Sequence, residues 1–278
     1  MSKNGYYIIS IIILLGCGYH LYFFVNNLID YDLFHWRDWR FFTALFILLT
    51  GFGGALAFLL SKFKWVRLLR TYMCLITISV PFSFIEFKWI IDRNPEVLKD
   101  AIFDSSIIIT LSEVVCSIIG LWFFAKRTGP HLHYEEILDE PIGEFTPAPG
   151  IIRFFNRFID ALMVLYILFV EIIGNLRFME SLHDTGRGTL ILFEFGITLY
   201  YYLILEGIFN ITVGKCITRT TIVSSDGSRP SVGRRIERTF CRLIPFESLS
   251  FFNAGARGWH DSYTDTYVVK SDTKIEYE

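Results

Sequence analysis

The stretch Arg153–Asn175, RFFNRFIDALMVLYILFVEIIGN, is apolar enough to cross a bilayer, yet it carries ionisable residues that do not belong in hydrocarbon. At 100° per residue, Arg153, Arg157, Asp160, Glu171 and Asn175 fall within a narrow arc of one helical face. Ala161, Leu162, Leu165, Tyr166 and Leu168 to Val170 cover much of the rest. A carboxylate near the middle of a membrane costs at least ~2.5 kcal/mol unless it finds a partner, so Asp160 has to face protein or water. Arg157, three residues earlier, and Arg153, seven earlier, are the nearest candidates for that partner. Two readings follow: an ion pair that locks helix packing, or a cation or proton site.

The rest of the chain has the same character. With 53 % hydrophobic and 17 % aromatic residues in 278, it is too apolar for an ordinary soluble domain, and the expected fold class is an all-α membrane protein. Runs long enough for a bilayer core occur at 6–25, 41–60, 71–91, 102–125, 154–174 and 189–211, which gives about six transmembrane helices. The first is expected to be an uncleaved helix, because apolar sequence continues past Leu14-Leu15-Gly16-Cys17 to Val25. Lys and Arg concentrate in the segments that an N-terminus-inside topology places in the cytoplasm, so both termini are expected there. The five cysteines are scattered without CxxC or His/Cys metal spacing, so no metal or cofactor is expected, and no nucleic-acid partner either.

Composition divides the chain into a four-helix bundle at 1–125, a polar Pro-rich linker at 126–150 and a second membrane domain at 151–278. His131-x-His133-x-Glu135 in the linker reads as part of a solvated hinge rather than a metal site. In the bundle, Gly51, Gly53 and Gly54 permit close helix approach, and Pro81 should kink or end its helix. Glu113, near the middle of the fourth span, is the strongest candidate for function in this half.

In the C-terminal half an antiparallel hairpin across 175–188 would put Asp160 and Glu206 at similar depth on the cytoplasmic side, and Glu171 beside Glu194 on the outer side. Two acids at one level near Arg153 and Arg157 would couple their titrations, as a proton-coupled cation site requires. Glu113, Glu171 and Glu194 would supply the outer leg of a pathway.

Past Asn210, Thr220 to Val223 is β-prone and Asp226-Gly227 marks a turn. Ser231 can cap a helix with Val232, Ile236, Phe240, Leu243 and Ile244 on one side and Arg234, Arg235, Arg238 and Arg242 on the other. Such a basic amphipathic helix suits the anionic lipids of a cytoplasmic leaflet, with Trp259 as a further surface anchor. The alternative is that its arginines close over Asp160 and Glu206. His260-Asp261 reads as a polar network, and with no GxSxG or HExxH the chain is not expected to be an enzyme.

Four blocks in order resemble the RDD family of prokaryotic integral membrane proteins, named for an arginine and two aspartates. RFFNRFID supplies Arg153 as the family arginine and Asp160 as the first aspartate. YYYLILEGIFNITVGK supplies Tyr201, Tyr202, Glu206, Thr212, Gly214 and Lys215; TIVSSDGSRPSVGRRIERTFCRLIPF is similar to the basic segment; GWHDSYTDTYVV supplies His260, with Asp261 as the second aspartate. Arg219 departs from the pattern, standing where a small residue is common.

The resemblance implies a prokaryotic cell (inner) membrane. Since some members have been proposed to move Na⁺ or other cations against protons, it also implies a secondary transporter exchanging monovalent cations for protons at Asp160 and Glu206. Two spans and a surface helix cannot enclose a path, so that reading needs the N-terminal bundle or a homo-oligomer. The alternative is a non-catalytic membrane module that organises lipids or partner proteins, with the ion pairs as internal struts.

Overall fold

The computed structural model describes residues 3–31, 39–61, 66–93, 105–127, 133–137, 140–144, 147–168, 186–225, 228–242, 244 and 258–270. Glu171, His131, residues 175–185 of the expected hairpin loop and the Asp226-Gly227 turn lie outside them. The chain is mostly helical and divides into two compact units, Met1–Phe124 and Ala125–Lys274.

The first unit contains α1 (Lys3–Tyr31), α2 (Trp39–Leu60), α3 (Arg67–Arg93) and α4 (Ser105–Arg127). Small residues set its packing distances. A Cβ on Gly54 would come within 2.6 Å of the Leu69 backbone nitrogen, and one on Gly51 would meet Cys17 Sγ at 2.5 Å and the Tyr72 ring. Gly53 has open space instead and takes no part in the contact. Pro81 does not end its helix, which continues to Arg93. Within an apolar bundle the freed carbonyl can be satisfied by its surroundings.

The second unit opens on the linker, which is not wholly irregular. β1 (His133–Ile137) and β2 (Glu140–Glu144) form an antiparallel hairpin there. Helix α5 (Gly150–Ile167) starts after Pro149, which cannot continue a helix backwards. Helix α6 (Gly186–Tyr202) passes directly into a π-helical turn, Leu203–Ile208. Asn210 then takes a left-handed φ of 59°, a conformation that asparagine tolerates better than most residues.

A short helix α7 (Val213–Thr218) follows, capped by the Thr212 hydroxyl on the Lys215 N–H. It ends on Arg219 in the left-handed region at φ 56°. Strand β3 (Thr220–Ser224) comes next, then α8 (Val232–Cys241), capped by Ser231 as its sequence indicates. The short α9 (Trp259–Tyr263) leads into β4 (Thr266–Lys270), which pairs antiparallel with β3 so that Ile222 faces Val268. Ala148 donates its N–H to the Val268 carbonyl at 2.7 Å, which ties the end of the linker to this pair.

Among the described residues two stretches are long and apolar enough to cross a membrane, Gly5–Asn26 and Ile191–Ile208. Leu45–Leu60 and Ile107–Phe123 are apolar but shorter. Six crossings thus remain the reading of the sequence, and two carry the structural criterion.

Candidate functional site

The second unit turns its charges inward. On α5 the buried stripe is Arg153, Asn156, Asp160, Val164 and Ile167, spaced three or four residues apart along one face. Ile151, Phe155, Phe158, Leu162 and Leu165 on the other faces are exposed. A soluble helix sorts its residues the opposite way.

Asp160 is met by α6 and α7 rather than by an arginine. Its Oδ1 accepts the Tyr201 hydroxyl at 2.7 Å and the Gly214 N–H at 2.8 Å. The same Tyr201 oxygen accepts the Val213 N–H at 3.2 Å. Gly214 is obligatory for this approach, since a Cβ there would collide with the Asn156 carbonyl oxygen and lie 2.9 Å from Asp160 Oδ1. Below it, Asn156 donates to the Thr220 hydroxyl at 2.9 Å and accepts from Thr218, joining α5 to β3.

Glu206 sits on the π-helical turn with no exposure. Arg238 Nε donates to its Oε1 at 2.9 Å, Arg242 Nη2 to its Oε2 at 3.0 Å, and Lys215 Nζ closes on Oε2 as well. Arg238, also fully buried, reaches Asp261 and Thr266 with its Nη1, and Asp261 in turn pairs with Arg153. The contacts form a closed ring: α5 to α9 through Arg153 and Asp261, α9 to α8 through Arg238, α8 to the π-helical turn through Glu206, on to α7 through Lys215, and back to α5 through Gly214 and Asp160.

Several sequence expectations change here. Arg153 serves Asp261, and Arg157 donates to the Tyr202 hydroxyl at 2.8 Å, with that hydroxyl 3.4 Å from Asp160 Oδ2. Neither arginine is the direct partner expected for Asp160, because their chain positions carry them towards α9 and the Tyr202 side of α6. Arg235, Arg238 and Arg242 do not lie on a membrane surface either. They are buried, while Val232 and Phe240 of α8 are each 53 % exposed. Three buried cations need carboxylates or carbonyls, and α8 is rotated to supply them: Arg235 Nη1 donates to the Ile208 carbonyl at 3.0 Å, and the other two face Glu206. Arg234 stays exposed, as does Trp259 at 42 %.

The ring strains its own ionisations. Burial brings the Lys215 ammonium down to about 8 against the pull of Glu206, with Arg242 and Arg238 adding to the lowering. Burial, and then Arg242, Arg238, Arg153 and Lys215, hold the His260 imidazole well below its ordinary value. His260 Nε2 lies 3.4 Å from Asp261 Oδ1, and a neutral imidazole makes that a dipolar contact rather than an ion pair. Burial and Arg229 bring Arg235 down to about 10.

Of the expected pathway acids, Glu194 is exposed on α6. Glu113 belongs to the first unit, buried at 3 %, where it faces Gly16 on α1 and lies 3.5 Å from His20 Nε2. Among the described residues no group of three or more His, Cys, Asp or Glu is placed to hold a metal ion. Lys215, Gly214, Tyr201 and Tyr202 are site residues that the charge pattern alone did not single out. The signal was there in Thr212-Val213-Gly214-Lys215, a capping threonine three residues before the lysine whose N–H it accepts.

No curated protein and no solved structure matches the chain. Residues 147–263, the stretch carrying Arg153, Asp160, Glu206 and Asp261, match the model of the RDD family, and the C-terminal half of the chain is identified with that family.

Proposed function

We propose that this is a multi-pass membrane protein with both termini cytoplasmic, whose C-terminal half is a non-enzymatic module organising lipids or partner proteins. One observation carries the reading: the unit is built inside-out. Its carboxylates and cations are spent on one another in the interior, while apolar side chains of α5, α6 and α8 face outward, among them Phe155, Leu192 and Phe240. Apolar faces of that extent suit hydrocarbon and not water. The ion pairs then act as struts that hold α7, α8 and the β3–β4 pair onto α5 and α6.

The exchanger reading asks for carboxylates that a cation can reach. Glu206 is enclosed by Lys215, Arg238 and Arg242, and an incoming Na⁺ would have to displace all three. The test is reconstitution into liposomes with an internal pH dye under Na⁺, Li⁺ or K⁺ gradients, with wild type and Asp160→Asn side by side. The module reading expects no cation-dependent proton flux from either protein. Flux in the wild type that disappears in the variant overturns it and installs the exchanger.

A further inference from the structure

The first unit buries a carboxyl group without a cation. Among the described residues no lysine or arginine pairs with Glu113 of α4. The acids of the second unit are answered differently: Asp160 takes a hydroxyl and a backbone N–H, while Glu206 and Asp261 take cations. The titratable groups that face Glu113 are the Cys17 thiol and His20 imidazole of α1, the Tyr72 hydroxyl of α3 and, one turn further along α4, the Cys116 thiol. None of them is a permanent cation. Gly51 of α2 packs against Cys17 and Tyr72 and adds no charge. A Cβ on Gly16 would collide with Glu113 Oε1, so the carboxyl rests against bare α1 backbone. An ionised carboxylate in such a place keeps neither water nor a counter-charge, and taking up a proton removes that cost.

A proton also needs a way in, and His20 supplies one. Its Nε2 lies 3.5 Å from Glu113 Oε2 and 3.3 Å from the Thr110 hydroxyl, one turn earlier on α4. A small rotation of the imidazole turns the first separation into a hydrogen bond. The His20 side chain is 25 % exposed and that of Glu113 only 5 %, so the imidazole stands between the carboxyl and the surroundings of the bundle. It lies six residues before Asn26, the polar end of the apolar stretch Gly5–Asn26.

We propose that the first unit holds a proton-binding site: Glu113 carries an exchangeable proton inside the bundle, and His20 passes it to and from water at the bundle's edge. The proton leaves Glu113 Oε2 for His20 Nε2, and the imidazolium then releases a proton to water, which leaves a carboxylate and a neutral imidazole. The reverse sequence reloads the site. Proton binding here requires no net transport and is independent of what the C-terminal half does.

The test is infrared spectroscopy of the full chain in phosphatidylcholine liposomes, in H2O and in D2O, reading the carbonyl stretch of protonated carboxyl groups at neutral pH. Wild type minus Glu113→Gln is expected to show one such band, and the band should shift on deuteration. Glu113→Asp keeps a carboxyl and should move the band, which identifies the group if Glu113→Gln does not fold. His20→Gln should retain the band and slow its deuteration roughly a hundredfold, the loss of one positioned proton carrier. A folded wild type without the band at neutral pH overturns the proposal, because Glu113 is then ionised. So does a band that never exchanges in D2O, which is a sealed structural carboxyl, or one that exchanges equally fast in His20→Gln, which removes the relay.

Discussion

Arg238 Nε donates to Glu206 Oε1 at 2.9 Å, and both side chains are completely buried. The pair joins α8 to the π-helical turn of α6, and the other edge of the same guanidinium reaches Asp261 on α9. A helix rich in arginine is thereby fixed with its charges inward and its apolar side outward. Breaking such a pair from one side leaves its partner charged and buried, which is far worse than never having built it.

Glu206→Gln is therefore expected to cost roughly 3–5 kcal/mol, because Lys215, Arg238 and Arg242 lose their shared counter-charge together. Glu206→Leu combined with Arg238→Leu should cost less than the sum of the two single changes. Denaturant unfolding of the four proteins in one detergent measures the coupling, and strictly additive losses would show that the pair is not the strut described.

Gly214→Ala tests the approach of α7 to α5. The added methyl group points at the Asn156 carbonyl and Asp160, both fixed by other contacts, so a loss of roughly 1–3 kcal/mol is expected. Gly196→Ala serves as the control, since a Cβ there meets nothing within 4 Å. Similar unfolding curves for the two variants would refute the steric account.

His260 sets the acid limb of stability. In the unfolded chain its imidazole takes a proton near 6.5, while the folded protein holds it neutral to well below that. Below about 6.5 the unfolded state thus binds more protons, and stability falls as pH falls. Lys215 works on the alkaline side: between about 8 and 10.5 the folded chain has lost a proton that the unfolded chain keeps, so its contribution rises with pH. Unfolding temperatures from pH 5 to 10 should show both limbs, and His260→Gln should flatten the acid one.

The outward face of α8 is expected to lie in lipid. Phe240→Cys, labelled with a polarity-sensitive fluorophore in a chain lacking Cys241, should emit at short wavelength and be quenched by brominated acyl chains. Arg234→Cys should behave as a water-facing site. The reverse pattern would refute a lipid-facing Phe240.

Much was legible in the sequence because membrane chains sort residues by local rules. The polar stripe of α5 follows from a 3.6-residue period, the start of α8 from Ser231, and β3 from its β-branched run. Burial of Asp160 and Glu206 followed from the cost of charge in hydrocarbon. These are properties of a residue and its near neighbours, and a single sequence states them directly.

Pairing was decided elsewhere. Arg153 and Asp261 are more than a hundred positions apart, and no periodicity distinguishes that pair from Arg153 with Asp160, seven residues away. The amphipathic pattern of α8 fits a lipid surface or a carboxylate-lined interior equally well, since a helix has two faces and the sequence does not say which one its neighbours take. The π-helical turn that presents Glu206, and the approach of Gly214 that leaves Asp160 without need of an arginine, come from elements docking against one another. The sequence by itself determined which groups had to be buried and which surfaces had to be apolar. Only the tertiary structure decided which charge answers which, because that choice rests on three-dimensional proximity between segments far apart in the chain.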